Sequence, residues 1–261
     1  MKRYTKYIKA RQDALNLVFE KPKSLYTPST FHILRVELKK LDAFFELLNF
    51  CSKGFKRNKT FAPFKLIFRQ AGKVRELQIE EALLKKHLHH TTLQKYKDNL
   101  KQRRLIERRI FFSLINKTFL SGVTSTFHDI KPALQKVNKE KAEAYLENKS
   151  MQIRKLISQG NIQATQIHEL RKQLKKIHYT EKILEKSNRN KSLAKKDILP
   201  KLMGKWHDCQ IMIEHLKKAM DADGIGSREF HQIEKIRTQF ASDREALYNK
   251  ICLAIPQLDF F

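Results

Sequence analysis

The sequence predicts an all-α fold built from two homologous helical halves. Three observations predict it: helical spacing of apolar residues along nearly the whole chain, few turn-forming residues, and an internal repeat. Only 7 glycines and 6 prolines occur among 261 residues, too few for the many tight turns of an all-β fold.

The elements follow in order. Met1 to Glu20 reads as a short helix or arm, and residues 21–30, with Pro22 and Pro28, as a connection. Ser29 or Thr30 offers a side-chain oxygen to cap a helix from about Phe31 to Ser52, which stops at Gly54. A second helix is expected from Pro63 towards His90, with a kink or a close helix contact at Gly72. A third covers about Thr91 to Leu120 and ends near Gly122. The second half follows the same plan: Thr126 to Asn148 with Pro132 in its first turn, then Lys149 to Ser158, broken by Gly160 and Asn161. Gln163 to Ser187 follows, then Ser192 to Asp221 across Pro200 and Gly204. A loop at Asp223–Gly226 leads to Arg228–Leu253. With no long flexible linker, the halves, about 1–125 and 126–261, are expected to form a single domain.

Charge sets the function class. With 54 Lys and Arg against 27 Asp and Glu, the formal net charge is +27, which predicts a polyanionic partner. Cys51, Cys209 and Cys252 are widely spaced and odd in number, so they read as reduced thiols, not as a disulfide frame or zinc site. No apolar run reaches the ~18 residues a spanning helix requires, and no secretory signal opens the chain. The expectation is a cytoplasmic protein without membrane insertion.

The repeat carries the most information. His32-Ile33-Leu34-Arg35-Val36-Glu37-Leu38-Lys39-Lys40 matches His168-Glu169-Leu170-Arg171-Lys172-Gln173-Leu174-Lys175-Lys176, with six of nine positions identical at an offset of 136. Gly72-Lys73-Val74-Arg75-Glu76-Leu77-Gln78-Ile79 then pairs with Gly204-Lys205-Trp206-His207-Asp208-Cys209-Gln210-Ile211, at an offset of 132. Two matched segments in the same order at nearly equal offsets point to two homologous halves, not to shared composition.

At about 100° per residue, His32, Arg35, Val36 and Lys39 share one helix face, with Leu34, Leu38, Leu41 and Phe45 opposite. His168, Arg171, Lys172, Lys175 and Tyr179 likewise lie across from Leu170, Leu174 and Ile177. Each front reads as basic, without interspersed acids. Two such fronts brought together repel each other unless an anion lies between them.

These residues resemble the CHAD family, the conserved histidine α-helical domain. The resemblance rests on His-x-x-Arg-x-x-x-Lys-Lys in both copies, extended to Tyr179 in the second, and on the Gly72–Glu76 segment. It covers roughly Thr30 to Leu253. It implies two pseudo-symmetric bundles of about four helices each around a basic central groove. It also implies binding of inorganic polyphosphate and association with polyphosphate granules. The implied contacts are His32, Arg35, Lys39, Lys40 and Arg75 from the first half, and His168, Arg171, Lys172, Lys175, Lys176 and Tyr179 from the second. The chain departs from the family at Glu76, where Asp is usual, and at His207-Asp208, where Asn-Asp is common. It departs again at Asp42 and His178, where basic residues are common.

The chemistry fits that implication. Arg offers a planar fork to two phosphate oxygens, Lys a mobile point charge, and charged His two donors. Each motif histidine can equally brace a neighbouring helix. A metal-dependent phosphohydrolase finds little support. His87, His89 and His90 lack suitably spaced carboxylates, and His128-Asp129 and His207-Asp208 are bare dipeptides. There is no phosphate-binding glycine loop, so no catalytic residue, metal or cofactor is expected. Nucleic acid is the alternative partner. The charge suits it, but the basic fronts lack interleaved aromatics for base stacking.

Overall fold

A computed structural model describes residues 2–87, 93–158, 162–184, 192–221 and 226–258. The histidines at 89 and 90, the break at Gly160 and Asn161, residues 185–187 and most of the 223–226 loop lie outside them. The described residues are helical almost throughout and contain no strand.

The helices are α1 (Lys2–Phe19), α2 (Pro28–Cys51), α3 (Arg57–Thr60), α4 (Ala62–His87), α5 (Gln94–Leu114) and α6 (Lys117–Asp129). They continue as α7 (Lys131–Leu134), α8 (Lys139–Ile157), α9 (Ala164–Ile183), α10 (Ser192–Met220) and α11 (Ser227–Ala254).

Several boundaries differ from expectation for local reasons. Helix α2 starts at Pro28, capped by Thr27, with Thr30 closing a reciprocal capping box at the third helical position. Proline suits that start because its missing N–H would have been unpaired there anyway. The expected helix from 91 to 120 breaks at residues 115–116, where the Asn116 side chain accepts the Phe119 N–H at 2.9 Å and begins α6. Conversely, residues 148–149, expected to divide two helices, lie inside α8, while the helix expected from 126 to 148 is divided among the end of α6, α7 and α8, whose start is capped by Asn138 accepting the Lys141 N–H at 2.9 Å. Gly72 does not interrupt α4.

The chain divides into two compact units. One comprises Met1–Arg75, Glu107–Lys155 and Gln173–Arg189, the other Glu76–Ile106, Leu156–Lys172 and Asn190–Phe261. Each therefore draws on both halves of the sequence, and α4, α5, α8 and α9 each supply residues to both. The first unit has a phenylalanine-rich core. Phe31, Phe44, Phe45, Phe64 and Phe111 are fully buried. Tyr26 meets Phe31, Phe111 and Phe112 at centroid distances of 5.5, 5.8 and 4.9 Å, while its hydroxyl donates to the Val18 carbonyl at 2.6 Å. In the second unit, Leu77 and Leu84 of α4 pack with Tyr96 and Leu100 of α5. Met212 and Leu216 of α10 and Ile233, Ile236 and Phe240 of α11 complete that core. The three- and four-residue spacing on each helix is the apolar stripe that the sequence displays.

Candidate anion-binding site

In the first unit, α2 presents His32, exposed, followed by half-buried Arg35 and Lys39 one and two turns on. The charges acting on His32 come from Arg75 of α4, Lys175 of α9, and Lys39 and Arg35 of its own helix. Lys175 belongs to the second copy of the motif and the rest to the first segments, so one unit gathers cations from both copies around one histidine. Partial burial, then these cations, hold the His32 imidazole below the usual histidine range.

Arg35 is held by the structure around it. Its Nη1 donates to the Phe68 carbonyl at 2.9 Å, and its guanidinium lies 4.7 Å from the centre of the Phe68 ring. It passes directly over Gly72, where an added Cβ would collide with Nη1. The glycine is therefore a close helix contact, in a helix that runs on through it.

The second unit repeats these pairings. Arg171 of α9 lies over Gly204 of α10, with Nη2 3.5 Å from where a Cβ would stand. His168 faces His207 at 5.2 Å between ring centroids. Under the repeat offsets, Arg171 and Gly204 correspond to Arg35 and Gly72, and His168 and His207 to His32 and Arg75. Lys172 is exposed and lies 3.5 Å from Glu169.

The final lysine of each copy is engaged elsewhere. Lys40 Nζ bonds Glu37 at 2.6 Å, and Glu37 also meets Arg11 of α1 at 2.6 Å. Lys176 Nζ meets Glu46 of α2 at 2.6 Å, and Glu46 also takes Lys149 of α8 at 2.6 Å. Burial pushes the Glu46 carboxyl up, but the bonds from Lys149 and Lys176 outweigh it and leave the group below the usual carboxylate range. Tyr179, also in the first unit, lies near the Tyr7 hydroxyl, which burial pushes up to about 12. So acids do accompany the basic motif. Glu37 turns into the core side of α2, 7% exposed, while Glu169 stays at the surface.

Sequence reasoning missed Arg11, Glu37, Glu46 and Lys149. Two of them carried a signal. Lys149 sits in the buried stripe Ala142, Tyr145, Leu146, Ile153, and Glu37 between Leu34 and Leu38 in the stripe of α2. A charge inside an apolar stripe requires a partner.

Among the described residues, no three His, Cys, Asp or Glu side chains gather as a metal site, and no helix is long and apolar enough to cross a membrane. His87, His89 and His90 fall outside the described side chains.

The family model of the CHAD domain matches residues 17–217. The chain belongs to the CHAD family. No curated protein matches the sequence. Among solved structures, the crystal structure of the CHAD domain from the plant Ricinus communis is similar over 98% of this chain and 89% of that one. The TM-score is 0.75 at 13% identity, so this CHAD protein shares its fold.

Proposed function

We propose that this CHAD protein binds inorganic polyphosphate without turning it over. The observation that carries the reading is the cluster around His32, where Arg35, Lys39, Arg75 and Lys175 impose positive charge from three helices. Like charges gathered at one place repel one another, and an anion bound among them relieves that repulsion. Arg35 is oriented by Phe68 and Gly72, so little side-chain freedom remains to be lost on binding. His168, Arg171 and Lys172 are proposed to take the same class of ligand. The protein is proposed to act in the cytoplasm, at polyphosphate granules.

The test is a titration with long-chain polyphosphate in competition with single-stranded and double-stranded DNA at fixed ionic strength. Polyphosphate should bind more tightly than either, and incubation with polyphosphate, ATP and Mg²⁺ or Mn²⁺ should release no phosphate above background. Nucleic acid is the second reading, favoured by the net charge of +27, and equal or tighter DNA binding would establish it. Phosphate release lost on His207→Ala or Asp208→Ala would instead make the protein an enzyme.

A further inference from the structure

Each copy of the motif ends in two adjacent lysines, and neighbours on a helix point about 100° apart. One lysine cannot therefore do what the other does. In the first copy, Lys39 acts on His32, while Lys40 binds Glu37, itself gripped by Arg11. In the second copy, Lys175 acts on His32, while Lys176 binds Glu46, itself gripped by Lys149. The split is the same at equivalent positions, although the two acids are not equivalent. Glu37 lies three residues before Lys40 on the same helix, whereas Glu46 is on α2 and Lys176 on α9.

That difference gives Glu46 a particular place. It ties α9 and α8 to α2 through two lysines, Lys149 being 8% exposed. The tie is made at the residue next to Lys175. Whatever fixes Lys176 on α2 also fixes how far Lys175 stands from His32.

We propose that Lys40 and Lys176 are anchors rather than ligand contacts, and that Glu46 is a positioning residue that brings Lys175 to His32 by holding Lys176. Lys39 and Lys175 are then the polyanion contacts of the pair, which rests on the polyphosphate reading. The positioning itself does not, and can be measured without ligand.

The probe is the His32 imidazole, followed by NMR titration in the full chain. Arg75, Lys175, Lys39 and Arg35 face it, and Lys176 is not among these groups. Lys175→Met should move the His32 midpoint up. Lys176→Met should also move it up, because Lys175 is no longer held, and should add nothing in a Lys175→Met background. Lys176→Arg should restore the wild-type midpoint. Glu46→Gln gives the same readout should Lys176→Met fail to fold. An unchanged His32 midpoint in Lys176→Met or Glu46→Gln would overturn the proposal, leaving a bridge that only stabilises.

Salt dependence with long-chain polyphosphate supplies the second arm. Each phosphate contact contributes about one released counterion to the slope. Lys175→Met should lose about one from the slope, and adding Lys176→Met to it should take away no more. A double variant that loses about two from the slope would make Lys176 a contact in its own right and sink the assignment. Failure of the wild-type protein to bind polyphosphate would end the functional reading and leave the His32 experiment standing.

Discussion

The Arg35 guanidinium occupies the space into which a side chain at Gly72 would grow. Glycine there lets a cation reach the Phe68 carbonyl across the α4 backbone, 2.9 Å away, while stacking on the Phe68 ring. Arg171 and Gly204 make the looser version of the same contact, in which a Cβ would stand 3.5 Å from Nη2, an ordinary van der Waals distance. The two glycines thus match in sequence but differ in tolerance.

Gly72→Ala should therefore destabilise the protein while Gly204→Ala should not. Alanine gains about 1 kcal/mol of helix propensity at either position. At 72 the new methyl displaces Arg35 and removes its charge-assisted hydrogen bond, at a cost of about 1.5–3 kcal/mol. The net at 72 is a loss of about 1 kcal/mol, a fall of about 2–4 °C in Tm for a chain of this size. At 204 the contact is ordinary, so Tm should hold or rise. Thermal melts of the two variants decide it, and equal responses would remove the special role of Gly72.

Charge removal separates a site from a merely basic surface. Lys39→Ala with Lys175→Ala removes two cations from around His32. Lys65→Ala with Lys117→Ala removes two exposed cations outside the motif, from the same unit. A charge-assisted contact to ligand contributes about 1.5–3 kcal/mol, an exposed charge about 0–1 kcal/mol. The motif pair should lose at least about tenfold in polyphosphate affinity and the control pair much less. Comparable losses in the two pairs would leave only a basic surface.

What the sequence made legible follows from what each signal measures. Periodicity and the repeat found the helices, the motif positions and the glycine of each second segment, because all three are properties of one helix or of two similar ones. The repeat could not say that Lys175 and His32 fall in one compact unit, which is a matter of how helices from the two halves are interleaved. The helical wheel left Lys40 and Lys176 off the basic faces, and the resemblance that named them as contacts carries no sign of the acids that hold them. Glu46 is six residues beyond the first motif copy, and Lys149 is on another helix. Helix ends failed where a single asparagine decided them, as at Asn116 and Asn138, since periodicity averages over several turns.

Binding should take up protons near neutral pH. His32 is held below the usual value of 6.5 by burial and by its cationic neighbours, so in the free protein it is neutral at pH 7. A polyanion at the site reverses that field and raises the bound-state value. Affinity should then increase as pH falls through the bound-state value and level off below the free-state value. Calorimetry at pH 6.5 in buffers of different ionisation enthalpy measures the uptake. His32→Gln should abolish its share, and an uptake unchanged by that substitution would place the proton elsewhere.

Glu46 predicts an acid-sensitive share of stability. Its folded carboxyl titrates below the ordinary 4.5, because Lys149 and Lys176 outweigh the effect of burial. A lowered folded value means that the unfolded chain binds the proton more readily. The contribution is therefore full above about 4.5 and is lost as pH falls through the folded value. Glu46→Gln removes the charge at every pH and leaves Lys149, 8% exposed, and Lys176 without their counter-charge. Breaking a buried pair from one side costs about 3–5 kcal/mol, and the amide retains an acceptor, so a loss of about 3 kcal/mol is expected at pH 7. Denaturant unfolding at pH 7 should show this gap between wild type and variant. Repeating it at successively lower pH should show the gap closing, because the wild-type carboxyl becomes neutral as well. A gap that stayed constant from pH 7 to well below the ordinary carboxylate range would mean that Glu46 acts through its shape and not through its charge.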